Sequence, residues 1–309
     1  MELLQLEDID KLKGKSCVVT IGMFDGVHTG HQQMLKELKS LSQRTSGKSV
    51  VITFSNHPRT VLDANKNDRV QLLQTNAERY ACIERYGVDY ILTVKFTEEF
   101  AALSSVQFLD LLLQYLDIKV LLLGYDNRFG NPKDGSYERL VASGCYKSVK
   151  IEKDIEGVYC QGREVSSTQI RNALVQGDAE LAASMLGRYY NITSTIEKGL
   201  QNGRKLGFPT ANIVLPEGKL LPKAGVYATK ATVDNTCYNA ITNIGSNPTF
   251  NAGKTTVETY IMDFDRDIYG KEMTVEFVSF IRSDKKFSSL EDLTRQIEKD
   301  EKRAREILQ

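Results

Sequence analysis

The first half of the chain alternates short apolar runs with longer stretches of helical period. CVVTIGMF (17–24), SVVITF (49–54), DYILTV (89–94) and IKVLLLG (118–124) are strand-length and rich in Val, Ile and Leu. Between them, residues 30–43, 78–87 and 105–117 bring apolar side chains round every three or four positions. Continuous apolar strands separated by helices predict a parallel sheet covered on both faces, because each strand is buried from both sides. In such sheets ligands sit beyond the carboxyl ends of the strands. The loops after Phe24, Phe54 and Gly124 are therefore where a site is expected. Helical stretches at 166–176 and 178–187 close this half.

From Gly187 the period changes. YYNITSTIE, TANIVL, GVYATKATV, TVETYIMDF and MTVEFVSFI are short β-type runs separated by Gly, Pro and Asn. Their regular spacing predicts an antiparallel barrel or sandwich. The chain ends in a helical period, with Leu290, Leu293, Ile297, Ala304 and Ile307 near one face. Ser288 with Glu291 fits a capping box at its start. The boundary falls near residue 187, giving domains of 1–186 and 187–309. A length of 309 residues favours two domains over one.

Charge narrows the classes. Forty basic and forty acidic residues cancel, whereas a wholesale grip on nucleic acid or an acidic membrane needs a positive excess. Neither partner is expected. No apolar run approaches the roughly 18 residues of a membrane span, and the start carries no secretory pattern. The five cysteines, Cys17, Cys82, Cys145, Cys160 and Cys237, are scattered with no C-x-x-C pair. Neither a disulfide framework nor a zinc site is suggested, and a reducing, cytoplasmic compartment is expected.

The first candidate chemistry is GMFDGVHTGH (22–31), where strand passes to helix. Gly22, Gly26 and Gly30 allow close backbone approach. His28 and His31 share one face of a first helical turn. A helix N-terminus offers free N–H groups and partial positive charge, which suits phosphate. Two imidazoles there can donate hydrogen bonds as charge builds on phosphoryl oxygens. The same residues also admit a metal pair with His57 as third ligand, or two surface histidines. VSSTQIR (165–171) repeats the physics: Ser166 or Ser167 can cap a helix, Thr168 and free amides can face an anion, and Arg171 adds a planar cation. By itself that is also an ordinary capped helix.

The second candidate is GRKLGFPTAN (203–212), with Arg204, Lys205, Thr210 and Asn212. It is not a phosphate-binding loop of G-x-x-x-x-G-K-[ST] form, which occurs nowhere in the chain. It supplies backbone donors and neutral oxygens, adequate for magnesium, which takes its other ligands from phosphates and water. A polar hairpin is the plain alternative. In TTVETYIMDF (255–264), Thr256, Glu258, Tyr260 and Met262 share a face. If that face is covered, the Glu258 carboxyl is raised and can accept a proton from a substrate hydroxyl. If it is solvated, Glu258 does nothing. Apolar residues on both faces leave the choice open.

GMFDGVHTGH has the form of the H-x-G-H nucleotidyltransferase motif. With FSNHPRTVL (54–62), LGYDNRFG (123–130) and VSSTQIRNAL in the same order, it resembles the adenylylating half of the bifunctional bacterial riboflavin kinase/FAD synthetases. GRKLGFPTANI, AGVYA, TNIGSNPTF, VETYIMDF, DIYGK and the terminal FIRSDKKFSSLEDLTRQIEKD extend the resemblance over essentially the whole chain. It implies a Rossmann-like domain followed by a six-stranded antiparallel barrel with a terminal helix. The first would join ATP and FMN into FAD and pyrophosphate; the second would phosphorylate riboflavin to FMN.

By the same resemblance, Gly22, Phe24, Asp25, His28 and His31 bind ATP in the first domain, with both histidines catalytic. Ser166, Ser167, Thr168 and Arg171 would hold its β- and γ-phosphates, and His57, Asp126 and Asn127 would meet the flavin. In the barrel, Gly203, Lys205, Gly207, Pro209, Thr210 and Asn212 would form the ATP site, Thr210 and Asn212 would place Mg²⁺, and Glu258 would be the base. Riboflavin, FMN, FAD and ATP are the implied small molecules, with room for a weak homo-oligomer. The chain departs from the family at Asn56, where proline is usual, and at Asn127, where an aromatic is usual. NPKDG (131–135) and EKGLQNG (197–203) are atypical, and Asn247 stands where arginine is common. Two rivals remain: a half that only binds flavin, and an adenylyltransferase for another acceptor joined to an unrelated barrel.

Overall fold

Strands at 2–5, 16–21, 48–54, 90–94, 117–123 and 150–153 hydrogen-bond into one sheet in the computed structural model, which describes all residues but 63–69, 125–136, 144–145, 147, 154–156, 199–202, 204–206 and 247–254. They are β1 (Glu2–Gln5), β2 (Ser16–Ile21), β3 (Lys48–Phe54), β4 (Tyr90–Val94), β5 (Asp117–Leu123) and β6 (Lys150–Lys153). The order is β1-β4-β3-β2-β5-β6, and every neighbouring pair is parallel. The order reverses at β2, which has β3 on one side and β5 on the other. That reversal is where open parallel sheets leave a crevice.

Both faces of the sheet are covered, as the continuous apolar runs predict. On one face Val18, Val51, Ile91 and Leu122 pack with Leu35 and Leu38 of α1 (Thr29–Arg44). Ile83 belongs to the same cluster. On the other face Val19, Ile21, Ile52 and Leu123 pack with Phe108, Leu109 and Leu112. The remaining helices here are α2 (Arg59–Leu62), α3 (Asn76–Glu84), α4 (Glu98–Ala101), α5 (Ser105–Leu113) and α6 (Tyr137–Ser143). The sequence does not anticipate β1, β6, the short helices α2, α4 and α6, or a small hairpin of β7 (Tyr159–Cys160) and β8 (Arg163–Glu164). Strand β1 has four residues, of which Leu4 alone is buried, so it shows no periodic signal.

Contacts divide the chain into two compact units, Met1–Val165 and Ser166–Gln309. The second holds α7 (Ser167–Gln176), α8 (Ala179–Leu186) and a closed barrel. Its strands are β9 (Tyr190–Glu197), β10 (Thr210–Ile213), β11 (Gly225–Val233), β12 (Thr236–Ser246), β13 (Thr255–Ile261) and β14 (Glu272–Arg282). They close in the order β10-β13-β12-β11-β14-β9, all antiparallel. Helix α8 packs on β9 and β14, and Lys223 N–H donates to Leu174 O at 2.9 Å.

The barrel interior is narrow and partly polar. Tyr227, Ala231, Val275 and Phe277 fill it, and the buried hydroxyls of Thr229, Thr242 and Thr259 join in a ladder of 2.9 Å bonds. The sequence reading did not single out β12. A narrow core accepts Ala240 and Thr242, so this strand lacks a strong apolar alternation.

Helix α9 (Leu290–Ile307) lies on the outer face, where Ala304 packs with Val226, Ala228, Ile241 and Met262. Asp300, 4% exposed, takes Arg282 in a forked ion pair at 2.7 Å. The cap of α9 differs from expectation. Ser289, not Ser288, accepts Asp292 N–H at 3.1 Å, and the Ser288 hydroxyl donates to the Asp292 carboxylate at 2.8 Å. Leu290 is consequently outside the apolar face, at 68% exposed.

Candidate active sites

In the first unit, β2 ends at Ile21 and the next residues turn sharply into α1. Phe24 (φ 52°) and Val27 (φ 36°) take left-handed backbone that side-chain-bearing residues avoid, Val27 most of all because it is β-branched. Strain held in this way is a mark of functional turns. Here its effect is visible: it delivers His28 to the N-cap of α1. The His28 Nδ1 accepts the His31 backbone N–H at 3.3 Å. That bond leaves the proton of a neutral His28 on Nε2, as a donor. The two imidazoles are stacked, with centroids 3.6 Å apart and planes at 18°. Gly30 permits this, since a Cβ there would meet the His28 ring at 3.3 Å.

His31 is held well below the usual histidine range, first by burial and then by the positive character of His28 and Arg79. Its Nδ1 is buried with no hydrogen-bond partner among the described residues. A stacked imidazole pair at a helix N-terminus, with His31 held neutral and its Nδ1 unsatisfied among the described residues, can meet phosphoryl oxygens. His57 does not join a metal cluster with the pair among the described residues. Its Nδ1 instead accepts Arg59 N–H at 3.2 Å.

The other expected residues of this turn are placed differently from one another. Phe24 is 1% exposed and lies 5.0 Å from the His31 ring. Asp25 is 2% exposed, and its carboxylate accepts the backbone N–H groups of Leu73 (3.0 Å) and Gln74 (3.1 Å). Asp25 thus ties the chain ahead of α3 to the turn. Asn56, the proline substitute, is also committed: its amide donates to Phe96 O (2.9 Å) and accepts Phe96 N–H (2.8 Å). Asp126 and Asn127 lie outside the described residues.

The sequence reading missed Arg79 on α3. It is fully buried beside this turn, with Nη1 at 3.9 Å from Met23 Sδ and Nη2 on Phe54 O at 2.6 Å. Its signal was available, because Arg79 falls three and four residues before Cys82 and Ile83, on the apolar face of a helix.

In the second unit the first turn of α7 carries four expected residues. Ser166 is the cap, accepting Gln169 N–H at 3.3 Å. Thr168 is exposed, and Ser167 and Arg171 are half-exposed.

The barrel site lies on one outer face. Asn212 of β10 and Asn243 of β12 are both directly opposite Glu258 of β13, so the three side chains form a row across adjacent strands. Thr210 is opposite Tyr260 on the same face. Tyr260 packs in the cluster under α9, which identifies this face as outward. It is nevertheless sheltered. Phe208 meets Tyr260 edge-on at 5.3 Å, and Glu258 is half-buried. Burial raises the Glu258 carboxyl above its ordinary value, opposed by a hydrogen bond from Thr256. Asn243 was not singled out from the sequence; its Oδ1 is buried without a partner among the described residues.

The loop before β10 closes on itself, Phe208 N–H donating to Gly203 O at 2.9 Å. Residue 203 must be glycine, since a Cβ would come within 2.2 Å of Phe208 O. Beside it a cavity of about 140 Å³ is lined by Pro209, Thr210, Ile261, Arg266 and Tyr269. Gly207 has φ +85°, while Lys205, Arg204 and Asn247 lie outside the described residues. The donors on this face are hydroxyl, amide and carboxylate oxygens, the set that suits a hard cation such as Mg²⁺.

Comparison with known proteins matches a FAD synthetase family profile to residues 10–169 and a riboflavin kinase profile to residues 186–308. The bifunctional riboflavin kinase/FMN adenylyltransferase of Bacillus subtilis is 36% identical over 295 residues, covering 93% of this chain and 91% of that one. Its counterpart in Listeria monocytogenes is 35% identical over 291 residues, with the same coverage of 93% and 91%. A crystal structure from Streptococcus pneumoniae, named a macrolide-efflux protein, superposes with a TM-score of 0.90 at 28% identity over 99% of both chains. No described helix of this chain is long and apolar enough to cross a membrane.

Proposed function

The chain belongs to the bifunctional riboflavin kinase/FMN adenylyltransferases, and from that premise we propose how its residues divide the two reactions. Residues 1–186 adenylylate FMN and residues 187–309 phosphorylate riboflavin. The single observation that carries the division is that each half places a buried polar atom without a partner among the described residues at its candidate site: His31 Nδ1 in the first, Asn243 Oδ1 beside Glu258 in the second.

In the first reaction the phosphate of FMN attacks the α-phosphorus of ATP and pyrophosphate leaves. Negative charge grows on the α-phosphoryl oxygens, and donors fixed in advance stabilise it without reorganising. His28 Nε2–H and the His31 ring are such donors, held rigid by their stacking and by the cap bond. Phe24 and Asp25 serve through the backbone: they hold the turn that presents its amides, and their own side chains are buried. Ser166, Ser167, Thr168 and Arg171 are the holders of the β- and γ-phosphates, supported by the capped first turn of α7. His57, Asp126 and Asn127 are the flavin-side residues.

In the second reaction Glu258 takes the proton of the ribityl 5′-hydroxyl, that oxygen attacks the γ-phosphorus, and ADP leaves. Phosphoryl transfer depends mainly on positioning and charge neutralisation, so a small set suffices. Gly203, Lys205, Gly207 and Pro209 shape the ATP loop, and the cavity beside Pro209 takes part of the nucleotide. Thr210 and Asn212 would hold Mg²⁺, which when bound neutralises phosphate charge. We place the enzyme in the cytoplasm with small-molecule substrates and neither nucleic acid nor membrane as partner, in keeping with its zero net charge.

The test is a crossed pair of variants assayed with riboflavin, ATP and Mg²⁺, and separately with FMN and ATP. Glu258→Gln lowers FMN formation by about 10²–10⁴-fold, the worth of a general base, and leaves FAD formation from supplied FMN intact. His31→Ala does the reverse, by about 10²–10³-fold. Loss of both activities in either variant, with the fold preserved, removes the division.

A further inference from the structure

Arg79 is 0% exposed and makes no ion pair with any described residue. Its Nη2 donates to Phe54 O (2.6 Å) and Asn76 Oδ1 (2.9 Å), and its Nη1 faces Met23 Sδ at 3.9 Å. The Nε has no partner among the described residues, and the Tyr80 ring lies 5.3 Å from Cζ. All of these neighbours are neutral. Asp25, the acid of the adjoining turn, is engaged with the amides of Leu73 and Gln74.

A guanidinium cannot shed its proton inside a protein. Burying one without a carboxylate is costly, and an apolar side chain of similar length fills such a space at less cost. Packing therefore does not account for a cation here. Its location does bear on chemistry. Phe54 ends β3 and Met23 follows β2, so Arg79 sits at the carboxyl ends of β2, which leads into the histidine turn, and of its neighbour β3. A polyanion entering that crevice meets a charge already fixed in place and shielded from water.

We propose that Arg79 is a positioning residue for adenylyl transfer: clamped by Phe54 and Asn76 beside the histidine turn, its unpaired charge gives the triphosphate site a permanent positive potential. This rests on the reading of the turn as the adenylyl-transfer site. The groups against the His31 ring are His28, stacked on it, and Phe24 from the turn; burial, His28 and then the charge of Arg79 on α3 hold the ring well below the usual histidine range. With Arg79 charged, a proton on His31 would be a second buried cation, so the ring stays neutral and the fixed positive charge beneath the turn is that of the guanidinium. The positive potential then does not vary with pH near neutrality, as it would if a histidine supplied it.

The chain has three histidines, His28, His31 and His57, few enough to resolve by ¹⁵N spectra of the imidazoles. In the full-length wild type, His31 does not titrate between pH 8 and about pH 6, below the ordinary histidine value of about 6.5. In Arg79→Gln its titration moves up, because one of the positive charges that lower it is gone. FAD formation from FMN then falls about tenfold or more in kcat/KM for ATP and acquires an acidic limb with the same midpoint, while riboflavin phosphorylation by the same molecules is unchanged. Arg79→Lys keeps the charge and restores both the His31 spectrum and most of the activity. If Arg79→Gln does not fold, Arg79→Met is measured in its place, with the same outcomes expected.

Wild-type His31 titration and wild-type FAD formation in the uncharged variants overturn the proposal. So does an Arg79→Lys variant as impaired as Arg79→Gln, which would make the role one of shape. His31→Ala separates the two levels. If it leaves FAD formation intact, the reading of the turn falls. If it abolishes FAD formation while the Arg79 variants behave as wild type, this inference alone falls.

Discussion

Glu258 and Asp25 are both carboxylates in apolar surroundings, and their partners set their different work. Asp25 accepts backbone N–H groups from two successive residues, Leu73 and Gln74. Asp25→Ala leaves buried amide donors unsatisfied, at about 1–3 kcal/mol each. The expected outcome is a loss of about 2–3 kcal/mol in the first unit, read by denaturant unfolding, before any effect on chemistry. Among the described residues Glu258 has only a weak hydroxyl contact with Thr256, at 3.5 Å, so desolvation prevails and its carboxyl titrates above the ordinary 4.5. In its proposed role as base Glu258 acts ionised, and that form is lost as pH falls through this raised value. The kcat/KM for riboflavin, which reports the free enzyme, should therefore decline on acidification at a pH above that of an ordinary glutamate, and Glu258→Gln should abolish that limb. The type and spacing of His28, His31 and Glu258 were legible in the chain. Which face Glu258 occupies was not, because Val257 and Tyr260 are apolar on opposite sides of β13, and only α9 and Phe208 decide that the outer side is sheltered.

Among the elements, α9 shows how unequal two polar contacts on one helix can be. The Ser289 cap satisfies an exposed amide, and Ser289→Ala should cost about 1 kcal/mol. Asp300 is buried against Arg282, with Gln296 on its other oxygen at 2.9 Å. Asp300→Ala strands a partly buried guanidinium and should cost about 3–5 kcal/mol. Denaturation of the two variants in parallel checks the ranking. If Asp300→Ala costs no more than Ser289→Ala, the pair does not hold α9. Strands with continuous apolar runs and helices with clear period were predicted in place, although the first strand ends at Ile21 rather than Phe24 and the helix from 105 at Leu113 rather than 117. Short edge strands such as β1, and β12 with its alanines and threonines turned into a narrow barrel, gave no such period.

For the whole molecule, both activities are expected to need a divalent cation, because ATP phosphates must be neutralised in each unit. Chelation by EDTA should stop FMN and FAD formation together, and added Mg²⁺ should restore both; survival of either would remove the metal from that unit. The sequence by itself determined the two-part architecture, the parallel sheet and the two chemical segments, since each rests on local period or on residues close together along the chain. Contacts between distant segments were left to the tertiary structure: the burial that holds His31 low, the row of Asn212, Glu258 and Asn243, and the burial of Arg79 among neutral partners. Desolvation and unpaired charge are properties of what surrounds a group in space, and that surrounding is assembled only when strands far apart in the chain come side by side.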